Sequence, residues 1–571
     1  MRDWLVVAGV ALLHLLTFLN KPAHIDDTLY LATVRGILAD PLRPLANVYN
    51  WEQYPRPIYT FAVNPPLYSY QQTLLVRIFG WNLPVLHVLG ALYVALACAG
   101  MLALARRFTQ RPVAATLLLL LSPVVLPATN LMLDVPCLAL LIAAFACWVR
   151  GVDRDSRRAL AASALLATAA VLTKYNSLLV LPALPLYAAL NGRRRAARWM
   201  LVPLAGLALW MLHNHFFLPG GAIHLFQSRG RAQFGPASGA LRVLLLTISW
   251  GSAFFFLPAL AVARWPRGAA MWGALALAVV AVAADVYFLI KPLSPWGFAH
   301  YGEHVFFLVN GALLGAFVLA GLGSSLQRSA WGEQTARDDL FLLLWPLGIV
   351  VFNLLAAPHQ APRYYFPAYA AMPLLLMRAL DRARPGRDAW IRGAIWASVA
   401  LEAAVGLTLA VSDSAFASAS RDFAQRLGRL ADEQNQMITY VGHWGFQYYA
   451  DQEPRLRCID VRAPEPPPGT VLALPTDVFR PELPPWLDGL HLGAQRGLME
   501  STYRAADSTV AHVRFIVIQP PWTAPRPAPL VTMSLLDRAC LYASGGSDAS
   551  ILPYTLAGPT FHALFVIERV P

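Results

Sequence analysis

The side chains that could perform chemistry in this sequence are carboxylates and cations placed at the ends of long apolar stretches. Asp26 and Asp27 stand side by side shortly after the apolar stretch 4–19. Asp134 and Lys174 begin and end two later apolar stretches. Carboxylates accept protons and ammonium groups bind anions. Because ionisable side chains are costly at membrane depth, we treat them as candidate functional residues.

Each of these side chains also has a purely structural explanation. Asp27 opens a helical pattern of apolar residues, which predicts a helix on a membrane surface with Asp26 or Asp27 as its N-cap and the other solvated. Asp134 could cap the helix that follows it, and the Lys174 ammonium could extend to the membrane surface. Lysine usage favours a function for Lys174, because few of the chain's 45 Lys and Arg residues are lysine. The only lysines are Lys21, Lys174 and Lys291.

The composition indicates a polytopic membrane protein and excludes an ordinary soluble one. Of 571 residues, 57% are hydrophobic and 13% are charged, and the mean hydropathy is +0.49. A soluble protein would carry about a quarter charged residues. The net charge of +13 does not require nucleic acid, because most of it is arginine in short loops, where it sets membrane topology.

We predict about thirteen membrane spans, each near the ~20 residues that a bilayer requires. They are roughly 4–19, 84–104, 112–128, 133–149, 159–175, 177–190, 199–217, 241–262, 268–290, 304–325, 339–357, 364–380 and 391–411. Every second loop is rich in arginine and is assigned to the cytoplasm. The N-terminus is then cytoplasmic, and the candidate site residues gather on the outer side.

The chain divides into two predicted domains. Residues 1–411 form a helical membrane domain with a long outer loop, 20–83, in which a second surface helix is expected over 67–80. Residues 412–571 carry strand-length apolar runs separated by proline-rich stretches, which predicts a small outer-face α/β domain.

Five short motifs occur in a fixed order along the membrane part. They are Ile25-Asp26-Asp27-Thr28-Leu29-Tyr30, Asn64-Pro65-Pro66-Leu67-Tyr68, Leu133-Asp134-Val135-Pro136, Thr173-Lys174-Tyr175 and His359-Gln360-Ala361-Pro362-Arg363-Tyr364. In this order, and on one side of the membrane, they resemble the GT-C superfamily of membrane glycosyltransferases. Within it the chain is similar to families 39 and 83, the protein O-mannosyltransferases and the lipid A aminoarabinose transferases. The resemblance implies an α-helical GT-C fold of about thirteen transmembrane helices.

The resemblance also implies an activity, that of an inverting transferase of EC class 2.4 in a bacterial inner membrane. Such enzymes move a sugar from a polyprenyl-phosphate carrier to an acceptor hydroxyl on the outer face. A carboxylate can take the acceptor's proton, and Lys or Arg can stabilise the departing phosphate. The sequence names neither the sugar nor whether the acceptor is lipid, glycan or protein.

By this resemblance the motifs supply the site. Asp26 is expected to be the base, Asp27 to position the acceptor or cap the helix, and Asp134 to be a second acidic site residue. The donor phosphate is expected to bind Lys174, Arg363 and Lys291. Arg363 could instead be an interfacial anchor. Further substrate-binding residues are expected to be Tyr30, Asn64, Tyr175 and His359.

One departure affects this assignment. Aminoarabinose transferases carry an acidic residue and a lysine just before the double proline, where this chain has Val63 and Asn64. The loop therefore has one cation fewer, which Lys21 or Lys291 is expected to replace. The outer histidines form no ligand motif, so no cofactor is assigned; a divalent metal is not indicated, and metal dependence is left open. Whether Cys458 and Cys540 form a disulfide is left open.

Two other classes of function stay open. A transporter or flippase of lipid-linked sugars would use the same charges to line a path, with paired polar sites through the membrane. A glycan ligase or polymerase would take its sugar from a polyprenyl-diphosphate donor.

Overall fold

The computed structural model describes most of the membrane part and some of the tail. The described residues are 2–218 except 52 and 63, 236–255, 297–330, 333–356, 362–382, 388–475 except 443, 465, 466 and 468, 509–510, 513–518 and 564–569. The predicted span 268–290, the predicted site residues Lys291 and His359, and Cys540 lie outside the described residues.

The described part of the chain is mostly helical, as expected. Its α-helices are α1 (Arg2–Phe18), α2 (Asp27–Ala39), α3 (Leu67–Phe79), α4 (Leu83–Phe108), α5 (Pro112–Leu120), α6 (Asp134–Asp153), α7 (Arg157–Val171), α8 (Val180–Leu190), α9 (Leu201–Phe217), α10 (Pro236–Ala253), α11 (Gly297–Ala330), α12 (Gln334–Ala356), α13 (Phe366–Tyr369), α14 (Ala371–Asp381), α15 (Asp388–Glu433) and α16 (Trp444–Ala450). Short 3-10 helices occupy Ile58–Thr60, Tyr175–Leu179, Arg194–Met200 and Pro362–Tyr365.

Five helical stretches among the described residues are long and apolar enough to cross a membrane. They are Leu83–Phe108, Asp134–Asp153, Arg194–Phe217, Gln334–Leu355 and Ala389–Glu433. On α1, Leu5, Leu12 and Leu16 are each more than half exposed, as expected for a surface that faces lipid. The chain is therefore an integral membrane protein, while the count of thirteen spans and their sidedness stay predictions.

The predicted span 112–128 is wrong in its second half. Helix α5 ends at Leu120, and residues 121–133 form a buried chain of turns. Pro123 and Pro127 explain the break, because proline lacks an amide donor and blocks helix continuation. Irregular backbone is tolerated at membrane depth when protein surrounds it. Here His14 Nε2 lies 3.1 Å from the Leu120 carbonyl oxygen.

Two helices in the predicted outer loop are confirmed as α2 and α3, and they pack together. Leu31 and Val34 of α2 share an apolar cluster with Val76 of α3. Helix α3 ends at Phe79 and is followed by Gly80, whose φ of +70° suits glycine. The two helices lie near the end of α1 and the start of α4.

Helices α10 and α11 cross at a pair of glycines. A Cβ added to Gly251 would lie 1.7 Å from the Phe307 carbonyl oxygen, and one added to Gly311 would lie 1.9 Å from that of Thr247. Such close backbone approach through small residues is common between membrane helices.

Arginine–aspartate pairs join the helix ends on the side away from α2. Arg107 Nε lies 2.6 Å from Asp153 Oδ2, and Arg378 Nε lies 2.7 Å from Asp339 Oδ1. Arg382 Nη1 also contacts Asp339, at 2.7 Å. Arginines at these helix ends therefore also have carboxylate partners, and the Asp339 carboxylate is buried.

The tail forms a mixed sheet. Its strands are β3 (Ile438–Tyr440), β4 (Leu456–Cys458), β5 (Val471–Pro475), β6 (Thr509–Val510), β7 (Val513–Ile518) and β8 (Leu564–Arg569), while β1 (Val48–Asn50) and β2 (Pro55–Pro57) pair in the outer loop. The sheet order is β4-β3-β5-β8-β7-β6, with β3 parallel to β4 and β5 and the remaining pairs antiparallel.

Helix α15 links the membrane part to the sheet without a break. It runs from Asp388 to Glu433, over 46 residues. The predicted domain boundary between 411 and 412 falls inside this helix rather than at its end. Phe423 and Leu427 near its end pack with Tyr440 and Phe446 in the core of the outer domain.

Candidate active site

Asp26 stands at the entrance to α2 and pairs with a distant arginine. Its Oδ2 lies 2.8 Å from Nη2 of Arg363, and the two side chains are only 19% and 13% exposed. Asp26 is the N-cap residue of α2, but its side chain makes no capping hydrogen bond. The capping explanation for Asp26 is therefore not what the structure shows.

Asp27 is completely buried at the first position of α2. Its Oδ2 accepts a hydrogen bond of 3.1 Å from the His24 amide. Burial raises the pKa of Asp27 to about 7, against the opposing charge of Lys21. Asp27 thus differs from Asp26 in having backbone contacts and no salt bridge, and it is not solvated.

Asp134 begins α6 and pairs with Lys174. Its Oδ1 lies 2.5 Å from Lys174 Nζ, and the side chains are 3% and 7% exposed. Neither alternative explanation holds, because Leu133 is the N-cap residue of α6 and Lys174 is buried rather than extended to a surface. Asp134 Oδ2 is buried without a hydrogen bond to any described residue.

Tyr364 lies between the two cations. Lys174 Nζ is 5.0 Å and the Arg363 guanidinium 5.6 Å from the centre of its ring. Asn176 and Asn353 donate to the Tyr364 carbonyl oxygen at 3.1 Å and 2.8 Å. These bonds fix the 3-10 turn that carries Arg363. Our sequence reasoning quoted Tyr364 in a motif but did not assign it to the site.

Tyr30 is close to both carboxylates of the site. Burial raises its pKa, and the charges of Asp26 and Asp134 act in the same direction. The phenol therefore stays neutral and can donate a hydrogen bond. The structure thus brings Tyr30 together with the two acid–cation pairs.

Asn64 and Tyr175 lie together beside this group. Asn64 Oδ1 accepts from the Tyr175 amide at 3.5 Å, and Trp210 Nε1 donates to the Tyr175 hydroxyl at 3.0 Å. The Leu67 amide also bonds to the Leu172 carbonyl oxygen at 3.1 Å. These contacts hold the loop before α3 against the end of α7, which positions Lys174.

The expectation that Lys21 replaces a missing phosphate ligand stays a prediction, and the structure places Lys21 in a separate ionic cluster. Its side chain is fully buried, and its Nζ donates to Asp413 and, at 2.5 Å, to Asn130. Asp413 is a buried carboxylate that our sequence reasoning did not assign. Asp413 lies two residues beyond the predicted span 391–411, and this place at the end of an apolar stretch was the available signal.

A cavity of about 510 Å³ lies between the ends of α1 and α3 and helix α15. Its lining includes Asn20, Trp81, Arg421 and Tyr449. Lys21 also lines it, whereas Asp26, Asp134, Lys174 and Arg363 do not. Within the described ranges, no three His, Cys, Asp or Glu residues are grouped so as to hold a metal ion.

Residues 63–216 match the family model described as dolichyl-phosphate-mannose-protein mannosyltransferase. The resemblance to protein O-mannosyltransferases is confirmed. The matched segment contains Asn64, Asp134, Lys174 and Tyr175, and it ends before Arg363. Asp26 precedes it.

Several solved structures are similar to the chain. ArnT from Cupriavidus metallidurans bound to undecaprenyl phosphate has a TM-score of 0.48 and 15% identity over 84% of this chain and 95% of that one. Its apo form has a TM-score of 0.47 and 16% identity, over 83% and 93%. The archaeal oligosaccharyltransferase AglB from Archaeoglobus fulgidus, with an inhibitory peptide and a dolichol-phosphate, has a TM-score of 0.43 and 16% identity, over 80% and 64%. No curated protein sequence matches the chain.

Proposed function

We propose that the chain is an inverting glycosyltransferase that moves a sugar from a polyprenyl-phosphate carrier to an acceptor hydroxyl on the outer face of a bacterial inner membrane. One observation carries this proposal: two carboxylate–cation pairs, Asp26–Arg363 and Asp134–Lys174, meet around Tyr364 and Tyr30. The family model supports it, since dolichyl-phosphate mannose is a sugar linked to a polyprenyl phosphate.

The proposed reaction forms one bond and breaks one at the anomeric carbon. The acceptor oxygen attacks from the face opposite the phosphate, and its proton passes to the Asp26 carboxylate. The bond from the anomeric carbon to the phosphate oxygen breaks, and both of its electrons leave with the phosphate. Asp26 suits the base role because it is partly exposed, whereas Asp27 is sealed from solvent and is a positioning residue.

Lys174 and Arg363 are the residues that would bind the donor phosphate. In the substrate-free protein Arg363 and Lys174 are neutralised by Asp26 and Asp134. A donor phosphate would compete for both cations through charge-assisted hydrogen bonds. Its arrival would release the Asp26 carboxylate, so donor binding would prepare the base. The product phosphate carries more charge than the donor diester, so the same cations would stabilise the departing group.

Asp134 and Tyr30 are left to contact the sugar. Asp134 Oδ2 is buried without a partner among the described residues, and buried polar atoms normally have one. A sugar hydroxyl would satisfy it. The negative charge of Asp134 would also stabilise positive charge that develops on the sugar ring, while the Tyr30 hydroxyl can donate to a sugar oxygen.

The two rival classes make different demands on the chain. A transporter should carry paired polar sites through the membrane, whereas the pairs described here gather where α2, α6 and the 362–365 turn meet. A ligase or polymerase would need a diphosphate donor. The experiment therefore includes both kinds of donor.

The test uses purified full-length protein, radiolabelled polyprenyl-phosphate and polyprenyl-diphosphate sugars, and a panel of lipid, glycan and protein acceptors. We expect transfer, or slow hydrolysis, of a monophosphate donor only. Use of the diphosphate donor alone would favour the ligase class. Neither transfer nor hydrolysis with any donor, combined with carrier movement across vesicles, would identify a transporter.

A further inference from the structure

An ionic cluster that the proposed reaction does not use holds the segment that enters α2. Asp413 of α15 is 3% exposed. Its Oδ2 accepts from Lys21 Nζ, and its Oδ1 lies 3.1 Å from His24 Nε2. Lys21 Nζ also donates to Asn130 Oδ1. One carboxylate therefore anchors two residues of the segment 21–27 to α15.

The anchored segment contains a strained residue. Ile25 has a φ of 47°, in the left-handed region that β-branched residues avoid. Such a conformation persists only where surrounding contacts impose it. Ile25 stands between His24 and Asp26, so the strain lies directly beside the proposed base.

Further bonds fix the same short stretch. The Tyr449 hydroxyl accepts from the Ala23 amide at 2.9 Å, and His87 Nε2 lies 3.0 Å from the Lys21 carbonyl oxygen. Burial lowers the pKa of His24, with Asp413 opposing, so the ring is neutral and donates its Nε2 hydrogen to Asp413. Lys21 then supplies the positive charge of the cluster, and His24 supplies orientation.

We propose that Asp413 is a positioning residue for the transfer reaction, which fixes the backbone at Ile25 through Lys21 and His24 and so aims Asp26 at the acceptor. This inference rests on the proposed function. Asp413 touches no reacting atom, and it acts only through the segment 21–27. Helix α15 continues into the outer domain. Asp413 therefore links that domain to the segment that carries Asp26.

The test measures transfer by the full-length Asp413→Asn variant. We expect kcat to fall about tenfold to a hundredfold, the effect of a small misplacement of a reacting group, while KM for the donor changes less than about threefold. The matched control is Glu402→Gln. Glu402 is a fully buried carboxylate on the same helix, but it accepts from the Phe255 amide at 2.9 Å rather than from the outer loop. It should keep both constants within about twofold.

Asp413→Asn leaves the buried Lys21 without its carboxylate partner. A second variant is therefore needed to distinguish misfolding from misplacement of Asp26. Lys21→Met/Asp413→Asn removes both charges, and such replacements are often tolerated. It should keep the kcat loss and show faster amide hydrogen exchange over residues 19–31. Wild-type kcat in the folded double variant overturns the proposal, as does unchanged exchange. No transfer by the wild-type protein would instead refute the proposed function, and the positioning role would fall with it.

Discussion

At the residue scale, the four charged side chains of the site neutralise one another. Asp26 pairs with Arg363, and Asp134 pairs with Lys174. Burying a single charge is costly, whereas a hydrogen-bonded pair is tolerated. Mutual pairing therefore lets the protein keep two largely buried cations at the site proposed to bind the donor phosphate.

Lys174 offers a direct test of phosphate binding. Lys174→Ala should lower turnover and weaken inhibition by free polyprenyl phosphate, because the product loses a charge-assisted bond. Lys174→Arg should recover part of this, since charge survives but geometry changes. The inhibition constant is the informative quantity, because partial unfolding alters the amount of active protein but not this constant. An unchanged inhibition constant in Lys174→Ala would place the phosphate elsewhere.

Asp27 should make stability depend on pH. Burial raises its pKa from 3.8 to about 7, so the folded protein keeps a proton that the unfolded chain loses near pH 4. The stabilisation is full below pH 4 and is lost as pH rises to about 7, by roughly 2–3 kcal/mol between pH 5 and pH 8. Melting temperatures of wild type and Asp27→Asn at both pH values measure this. A difference between the two proteins that does not change with pH would contradict it.

The sequence allowed the carboxylates and cations to be chosen, because charged residues are rare in apolar stretches. It did not predict their partners. Asp26 and Arg363 are 337 positions apart, and Lys21 and Asp413 are 392 apart. Only the packing of distant helices decides such pairs, so the partnership of Lys21 with Asp413 could not be predicted.

At the element scale, broken helices place the site. Residues 121–133 leave helical geometry just before Asp134, and the stretch 362–370 is divided between a 3-10 turn and the short helix α13. Hydropathy predicted continuous spans in both places because it responds to apolar composition rather than to backbone geometry. The prolines at these positions were the signal for the breaks.

The 3-10 turn that carries Arg363 depends on two asparagines. In Asn176→Ala/Asn353→Ala the Tyr364 carbonyl oxygen loses two hydrogen bonds. We expect the donor KM to rise roughly tenfold and kcat to change less, because each lost hydrogen bond costs about 0.5–1.5 kcal/mol and a tenfold change corresponds to about 1.4 kcal/mol. Asn310→Ala is the matched control. Asn310 also donates to backbone carbonyl oxygens, at 2.6 Å and 2.5 Å, but between α10 and α11. An equal rise of KM in both variants would indicate a general loss of structure.

At the scale of the whole molecule, hydrogen bonds join the outer domain to the outer loop. Gln447 Nε2 donates to the Asn50 carbonyl oxygen at 2.6 Å, and Asn50 Nδ2 donates to that of Ile459 at 2.7 Å. Gln53 Nε2 donates to the Gly442 carbonyl oxygen. The sequence predicted strands in this region, but these interdomain bonds have no local signal.

We expect this contact to govern acceptor choice rather than chemistry. Gln53→Ala/Gln447→Ala should reduce discrimination between acceptors several-fold while donor hydrolysis continues near the wild-type rate. Gln452→Ala is the control, since Gln452 is an exposed residue just beyond α16 that bonds only locally to the Tyr448 carbonyl oxygen. Loss of donor hydrolysis in the double variant would mean that the outer domain takes part in the reaction itself.

The measurement that bears most directly on the proposed function is sugar transfer by Asp26→Asn. With wild-type protein that transfers from a polyprenyl-phosphate donor, this variant should lose about 10²–10⁴-fold in turnover, the usual contribution of a general base, and should still bind the donor. Asp40→Asn, at the exposed end of α2 where Asp40 pairs with Arg43, should transfer normally. Near-normal turnover by Asp26→Asn would show that Asp26 is not the base and would contradict the proposed site.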